Sequence, residues 1–195
     1  MESGKHKPAV SGRGSGNIFL VGLMGAGKTS VGKLLAKRLG KSFYDSDQEI
    51  ERATGVKIPL IFEIEGEAGF RAREAKMLAE LTARRDVVLA TGGGAVLAEE
   101  NRRLLSKNGV VVYLRAAVAD LWRRTQHDKS RPLLKSADPR ATLEQLFAER
   151  DPLYREVADV VVDTGSQSLG NLAHQLEQKL LQLAGEGVGA PLRAS

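Results

Sequence analysis

Eight consecutive residues, Gly22-Leu23-Met24-Gly25-Ala26-Gly27-Lys28-Thr29, constrain this chain more than any others. They match the pattern G-x-x-x-x-G-K-[ST] in the context it needs, with the apolar run Ile18–Val21 before it and the amphipathic segment Lys28–Leu39 after it. Glycines at these spacings let the backbone turn tightly and aim its N–H groups at phosphate oxygens. The start of a helix adds positive potential at the same place. Gly25, Ala26 and Gly27 form the cradle, the Lys28 ammonium reaches the β- and γ-phosphates, and the Thr29 hydroxyl coordinates Mg²⁺ with Ser30 beside it. The competing reading, a glycine-rich turn with a solvated lysine, leaves the strand before and the helix after unexplained.

A strand–loop–helix unit of this kind belongs in an α/β protein, and the rest of the chain keeps that rhythm. β-Rich runs at Ile18–Val21, Ser42–Asp45, Val87–Ala90, 110–114 and Val160–Asp163 alternate with helical periodicity. Residues 87–89 and 110–114 are almost wholly apolar, as parallel strands covered on both faces are. In Lys28–Leu39 the residues Val31, Leu34, Leu35 and Leu39 share a face, and Gly40 follows the C-cap. In 169–183 the stripe is Leu169, Leu172, Ala173, Leu176, Leu180 and Leu183. The expected fold is a three-layer P-loop NTPase architecture: a five-stranded parallel sheet flanked by helices, with ligands at the carboxyl ends of the strands. One stretch breaks the rhythm. Residues 127–138, HDKSRPLLKSAD, are polar, charged and interrupted by Pro132, and read as a mobile lid over about 126–138. With 195 residues, a single domain is expected over 17–184, between a disordered leader at 1–16 and a disordered tail at 185–195.

Composition removes several chemistries. There is no cysteine, so disulfides, thiolate metal sites and a cysteine nucleophile are excluded, and the three histidines lie far apart. The net charge of +5 raises the question of nucleic acid, but the basic residues are scattered on helices and aromatics make up only 5%. Solvated helix faces and a few arginines for a small anion explain the charge better, so no nucleic-acid partner is expected. No apolar run approaches the ~18 residues of a membrane span, and no signal core precedes the first strand. A cytoplasmic chain with no membrane partner is expected. A monomer is expected too, because no surplus apolar stripe remains once the core is assigned.

A nucleotide site needs a carboxylate for its metal. The two most apolar strands end without one, whereas Phe43-Tyr44-Asp45-Ser46-Asp47 brings two to a strand end facing the same crevice. Alternation along that strand points Asp45 and Asp47 to one side, so one serves the metal and the other the substrate. Their competing role is a helix N-cap before Gln48, which Asp47 can fill as well. Asp163 reads as a turn residue. Gly92-Gly93-Gly94 follows a buried strand at the ligand-binding edge, where bare backbone offers N–H donors. Arg71, Arg124, Arg131 and Arg155 are the candidate anion binders, and composition does not choose among them. The residues alone also leave open which hydroxylated metabolite a kinase of this kind would act on, and a P-loop binding or regulatory module with nucleic acid among its candidate partners.

Several pieces in order narrow this further: GLMGAGKTSVG at 22–32, FYDSD at 43–47, Phe70-Arg71 with Glu74, GGGAV at 92–96, SRPLL at 130–134 and PLYREVAD at 152–159. Together they resemble the shikimate kinase family from Ile18 to about Leu183. The resemblance implies transfer of the ATP γ-phosphate to a hydroxyl of shikimate, with Mg²⁺. By the same resemblance Asp45 holds the metal, and Asp47 accepts hydrogen bonds from substrate hydroxyls and orients the attacking one. Arg71 and Arg155 grip the substrate carboxylate, with Gly92, Gly93 and Gly94 lining that pocket. Arg124 lies near the adenine, and Arg131 swings in with the lid to neutralise the transferred phosphoryl. Some relatives carry an arginine in the loop after the last strand. Here Thr164-Gly165-Ser166-Gln167 has none, so Gln167 is expected to approach the base.

Overall fold

The structure, a computed structural model, describes residues 16–128, 132–165 and 167–186. Five strands, β1 (Ile18–Val21), β2 (Ser42–Asp45), β3 (Val87–Ala90), β4 (Val110–Arg115) and β5 (Val160–Asp163), pair in parallel in the order β2-β3-β1-β4-β5. The apolar runs account for that order. Phe19, Leu20, Val21, Val88, Leu89, Val111, Val112 and Leu114 are shut off from solvent, so β1, β3 and β4 are covered on both faces. The edge strands read differently. β5 alternates, with Val160 and Val162 inward and Val161 and Asp163 outward, and β2 is only partly buried. Asp163 ends β5 and pairs with Arg115 at 3.1 Å, so it belongs to a strand end and not to a turn.

Among the described residues the helices are α1 (Lys28–Leu39), α2 (Ser46–Thr54), α3 (Ile58–Thr82), α4 (Glu99–Asn108), α5 (Val118–Thr125), α6 (Pro139–Val157) and α7 (Leu169–Glu186). α1 packs with α7 and over β2 and β3, whereas α3 packs on α4, and α6 packs on α4 and β4. The result is the expected three-layer α/β fold. Gly40 ends α1 in the left-handed region, its N–H bonded to the Ala36 carbonyl. In α7, Leu172, Ala173 and Leu176 are buried, but Leu169, on the same face, is 43% exposed. It is the first residue of the helix. None of the helices among the described residues is long and apolar enough to cross a membrane.

Two features position the site. From β1 the chain crosses through α1 to β2, and from β3 it crosses through α4 to β4 on the other side of β1. The crossovers therefore part at the carboxyl end of β1, where loop 22–27 sits. The second feature is a kink in α3 at Gly66 (φ 69°, ψ −176°), a backbone region essentially reserved for glycine. The helix restarts after it. Phe62 and Phe70, one on each side, then stack with ring centroids 4.8 Å apart, and Arg71 follows in the restarted run.

Candidate active site

Loop 22–27 feeds directly into α1, whose N-cap, Gly27, supplies no side-chain cap; the first turn also carries no acidic residue. A helix end left this way suits a phosphate group. The Lys28 ammonium is tucked against the same loop, donating to the carbonyls of Gly22 (2.7 Å) and Leu23 (2.9 Å). The Thr29 hydroxyl donates to Asp45 Oδ2 at 2.6 Å. Ser30, next along α1, is exposed.

Asp45 is the last residue of β2 and also the N-cap of α2, its Oδ1 accepting from the N–H groups of Asp47 (3.1 Å) and Gln48 (3.3 Å). The cap is therefore Asp45 and not Asp47. Asp47 lies in the first turn of α2, so a helical turn, and not strand alternation, carries it to the cleft. Mg²⁺ keeps several waters and takes one or two protein oxygens plus phosphate oxygens. The Thr29 hydroxyl and the Asp45 carboxylate, hard donors in contact beside the loop, fit that demand.

Asp47 has a different character. Its Oδ1 is sealed from solvent and has no hydrogen-bond partner among the described residues. Burial, and then the charges of Asp45 and Glu74, push its carboxyl up from an ordinary 3.8 to about 7, with Lys28 and Arg71 pulling the other way. Glu74 is fully buried. Its Oε2 accepts from Arg71 Nη1 at 2.7 Å, while Oε1 has no partner. Burial raises its carboxyl as well, against the attraction of Arg71. The two lone oxygens meet at Gly92, where a Cβ would come within 2.5 Å of Glu74 Oε1 and 2.8 Å of Asp47 Oδ1. No larger residue fits there without moving one of them.

These groups line one cleft of ≈ 630 Å³, with Met24 and Thr29 on the loop side, Phe62 and Phe70 on an apolar wall, and Pro132 and Leu133 also in the lining. Gly92, Gly93 and Gly94 form its floor, and the Arg71 guanidinium lies where a side chain at Gly94 would be. Arg155 is not brought there. It is about half exposed and pairs with Asp151 one turn earlier on α6, at 2.7 Å. The second arginine of the cleft is Arg150, only 3% exposed, whose Nε and Nη1 have no partner among the described residues. The sequence did carry a signal for it. Leu143, Leu146, Arg150, Tyr154 and Val157 form the buried face of α6, so Arg150 occupies a core position where an aliphatic residue would ordinarily stand. Glu74 is the same case in α3, spaced between the buried Phe70 and Leu78.

Arg124 lies away from this cleft and clasps two loops, donating to the carbonyls of Gly25 (3.1 Å) and Gly165 (2.9 Å). Gln167 is exposed, its amide donating to the Asp163 carbonyl at 3.1 Å and to Gln175 Oε1 at 3.3 Å, so its side chain is engaged with its own loop and α7. Arg131 lies outside the described residues; Pro132–Leu134, which follows it, forms a 3-10 turn with Leu134 buried.

A sequence model described as shikimate kinase matches residues 24–181. The chain is 62% identical over 167 residues to a shikimate kinase of Chromobacterium violaceum, covering 86% of this chain and 91% of that protein. To a shikimate kinase of Nitrosospira multiformis it is 59% identical over 180 residues, covering 89% and 92%. Among solved structures, shikimate kinase from Acinetobacter baumannii in complex with shikimate superposes with a TM-score of 0.85 at 50% identity, covering 90% of this chain and 98% of that one.

Proposed function

The chain belongs to the shikimate kinase family, and from that premise we propose how its residues divide the work. The reaction is transfer of the γ-phosphate of ATP to the 3-hydroxyl of shikimate, giving shikimate 3-phosphate and ADP. The observation that carries the assignment is one cleft lined by two arginines, a glycine floor and the Asp47 carboxylate, beside the glycine-rich loop and the start of α1. An acid that bears both a carboxylate and hydroxyls needs that combination.

Loop 22–27 and the start of α1 hold the phosphates of ATP, with Lys28 leaving its loop carbonyls to meet the γ-phosphoryl. Thr29 and Asp45 hold Mg²⁺, which when bound neutralises charge on the phosphate oxygens. Arg71 and Arg150 bind the substrate carboxylate, Arg150 taking the place assigned to Arg155 because it is the one that lines the cleft. A guanidinium suits that task since its planar fork bonds both oxygens. Asp47 accepts the attacking hydroxyl and aims it in line with the phosphoryl. Phosphoryl transfer through a loose transition state asks mainly for positioning and charge stabilisation, so a strong base is unnecessary. Arg124 borders the adenine, supported by its bridge between the phosphate loop and the loop that leads to Gln167. Arg131 would neutralise the moving phosphoryl, supported by the presence of its neighbours Pro132 and Leu133 in the cleft lining. The unit acts as a cytoplasmic monomer of one kinase domain, spanning about 17–184.

A coupled ADP-release assay with Mg²⁺ and ATP, run with shikimate, gluconate or no acceptor, tests the reading. Release that depends on shikimate alone is expected, and equal release without acceptor would overturn it. Arg150→Ala should raise KM for shikimate roughly 10–100-fold, the worth of a charge-assisted hydrogen-bond pair. KM for ATP should hold, and Arg155→Ala should leave both within about twofold, as a surface ion pair does. The reverse ranking would restore Arg155 to the clamp.

The raised Asp47 carboxyl also gives a pH profile. The carboxylate, present above its pKa of about 7 in the free protein, is the form that accepts the hydroxyl. kcat/KM for shikimate should therefore climb as pH rises through about 7 and lose that limb in Asp47→Asn. A flat profile from pH 5.5 to 8.5 would remove Asp47 from this role.

A further inference from the structure

Three consecutive glycines make a poor binding floor unless something stops their peptides from turning, because glycine adopts either sign of φ at little cost. The floor is tied at both ends. Gly92 N–H donates to Ser46 Oγ at 2.9 Å, which fastens it to the α2 side between Asp45 and Asp47. At the opposite end, the Tyr154 hydroxyl donates to the Gly93 carbonyl. Tyr154 is fully buried one turn after Arg150 on the same face of α6, and burial raises its phenol, outweighing the opposite pull of the Arg150 guanidinium hydrogen-bonded beside it, so that it stays a donor.

The consequence follows from the planar trans peptide. A carbonyl and the N–H of the next residue point in opposite directions, so fixing the Gly93 carbonyl fixes the Gly94 N–H. Gly94 lies in the cleft lining, packed against the Arg71 guanidinium. One hydroxyl thus sets the glycine floor in register with the helix that carries Arg150 and with the arginine from α3. We propose that Tyr154 is a positioning residue for binding the substrate carboxylate: it touches no substrate, but holds the 93–94 peptide so that the Gly94 N–H and the two guanidinium groups converge on one anion. This rests on the reading of the cleft given above.

A built-in control exists. The Tyr113 ring packs on the Tyr154 ring with centroids 4.9 Å apart, and its hydroxyl donates to Asp151 Oδ1 at 2.8 Å, away from the glycines. Tyr113→Phe and Tyr154→Phe each delete one hydroxyl from the same aromatic pair, and each keeps the ring that fills the core.

The experiment measures KM for both substrates, the Kd of shikimate by calorimetry without nucleotide, and melting temperature in the unaltered protein and both variants. Y154F should raise KM and Kd for shikimate about 5–10-fold, the value of one buried hydrogen bond, with KM for ATP and kcat within twofold. Y113F should leave shikimate binding unchanged even where its melting temperature falls as far. Shikimate binding within twofold of normal in Y154F, a parallel rise in KM for ATP, or an equal loss in Y113F would each overturn the proposal. Failure of the unaltered protein to bind shikimate would instead strike the reading of the cleft, and this inference with it.

Discussion

Lys28→Ala is expected to lower kcat for phosphoryl transfer by on the order of 10³-fold, read as shikimate-dependent ADP release at saturating substrates. The loose transition state leaves charge on the equatorial oxygens of the moving group. A positive group placed there in a site that excludes water is worth several kcal/mol, far more than on a surface. Lys28 has a second task, because its ammonium ties the carbonyls of Gly22 and Leu23. The alanine variant should therefore also bind ATP more weakly, and Lys28→Arg should not rescue it, since a fork-shaped guanidinium does not fit a site built around a point charge. Turnover within tenfold of normal in Lys28→Ala would dismiss the phosphate-loop assignment.

Asp47→Asn should separate activity from stability. It should cost about 10²–10³-fold in kcat, because an amide of the same shape neither accepts the proton of the attacking hydroxyl nor orients it as a carboxylate does. At pH 8 the same change should raise the melting temperature by roughly 2–4 °C, about 1 kcal/mol for a chain of this size. The sign follows from linkage. The folded state holds the Asp47 proton more tightly than the unfolded chain does, so the stability this contributes is complete below about 4 and is lost as pH rises through about 7. Above that, folding keeps an ionised Asp47 beside Asp45 and Glu74. An asparagine cannot ionise and is spared the cost. Loss of activity together with a lower melting temperature at pH 8 would mean that Asp47 is chiefly structural; a trade of stability for activity is the pattern of a functional site.

Local patterns along the chain settle some of these features and leave others to packing. The five strands and α1 were legible because apolar runs, β-branched residues and the glycine after α1 act over a few residues of chain. The phosphate loop was legible for the same reason: its chemistry lies within eight consecutive residues. The proposed carboxylate clamp was not. Arg155 stands in a recognisable run of residues and Arg150 does not, yet the two lie on different faces of α6. The face turned to the cleft depends on how α6 packs on α4 and β4, a long-range matter. The stripe from Leu143 to Val157 held the clue, in a charged residue at a core position.

From its sequence alone, then, this chain determined its fold class, its glycine-rich loop and the pair of carboxylates at the end of β2 and the start of α2, since each is written in neighbouring residues whose dihedral preferences and spacing act locally. Tertiary structure alone decided which carboxylate caps α2 and which faces the cleft, that Glu74 is buried against Arg71, and that Arg150 and not Arg155 joins it. Those outcomes depend on burial, on the kink at Gly66 and on contacts between residues scores of positions apart. A carboxylate or guanidinium acquires its unusual properties only where packing withdraws water from it.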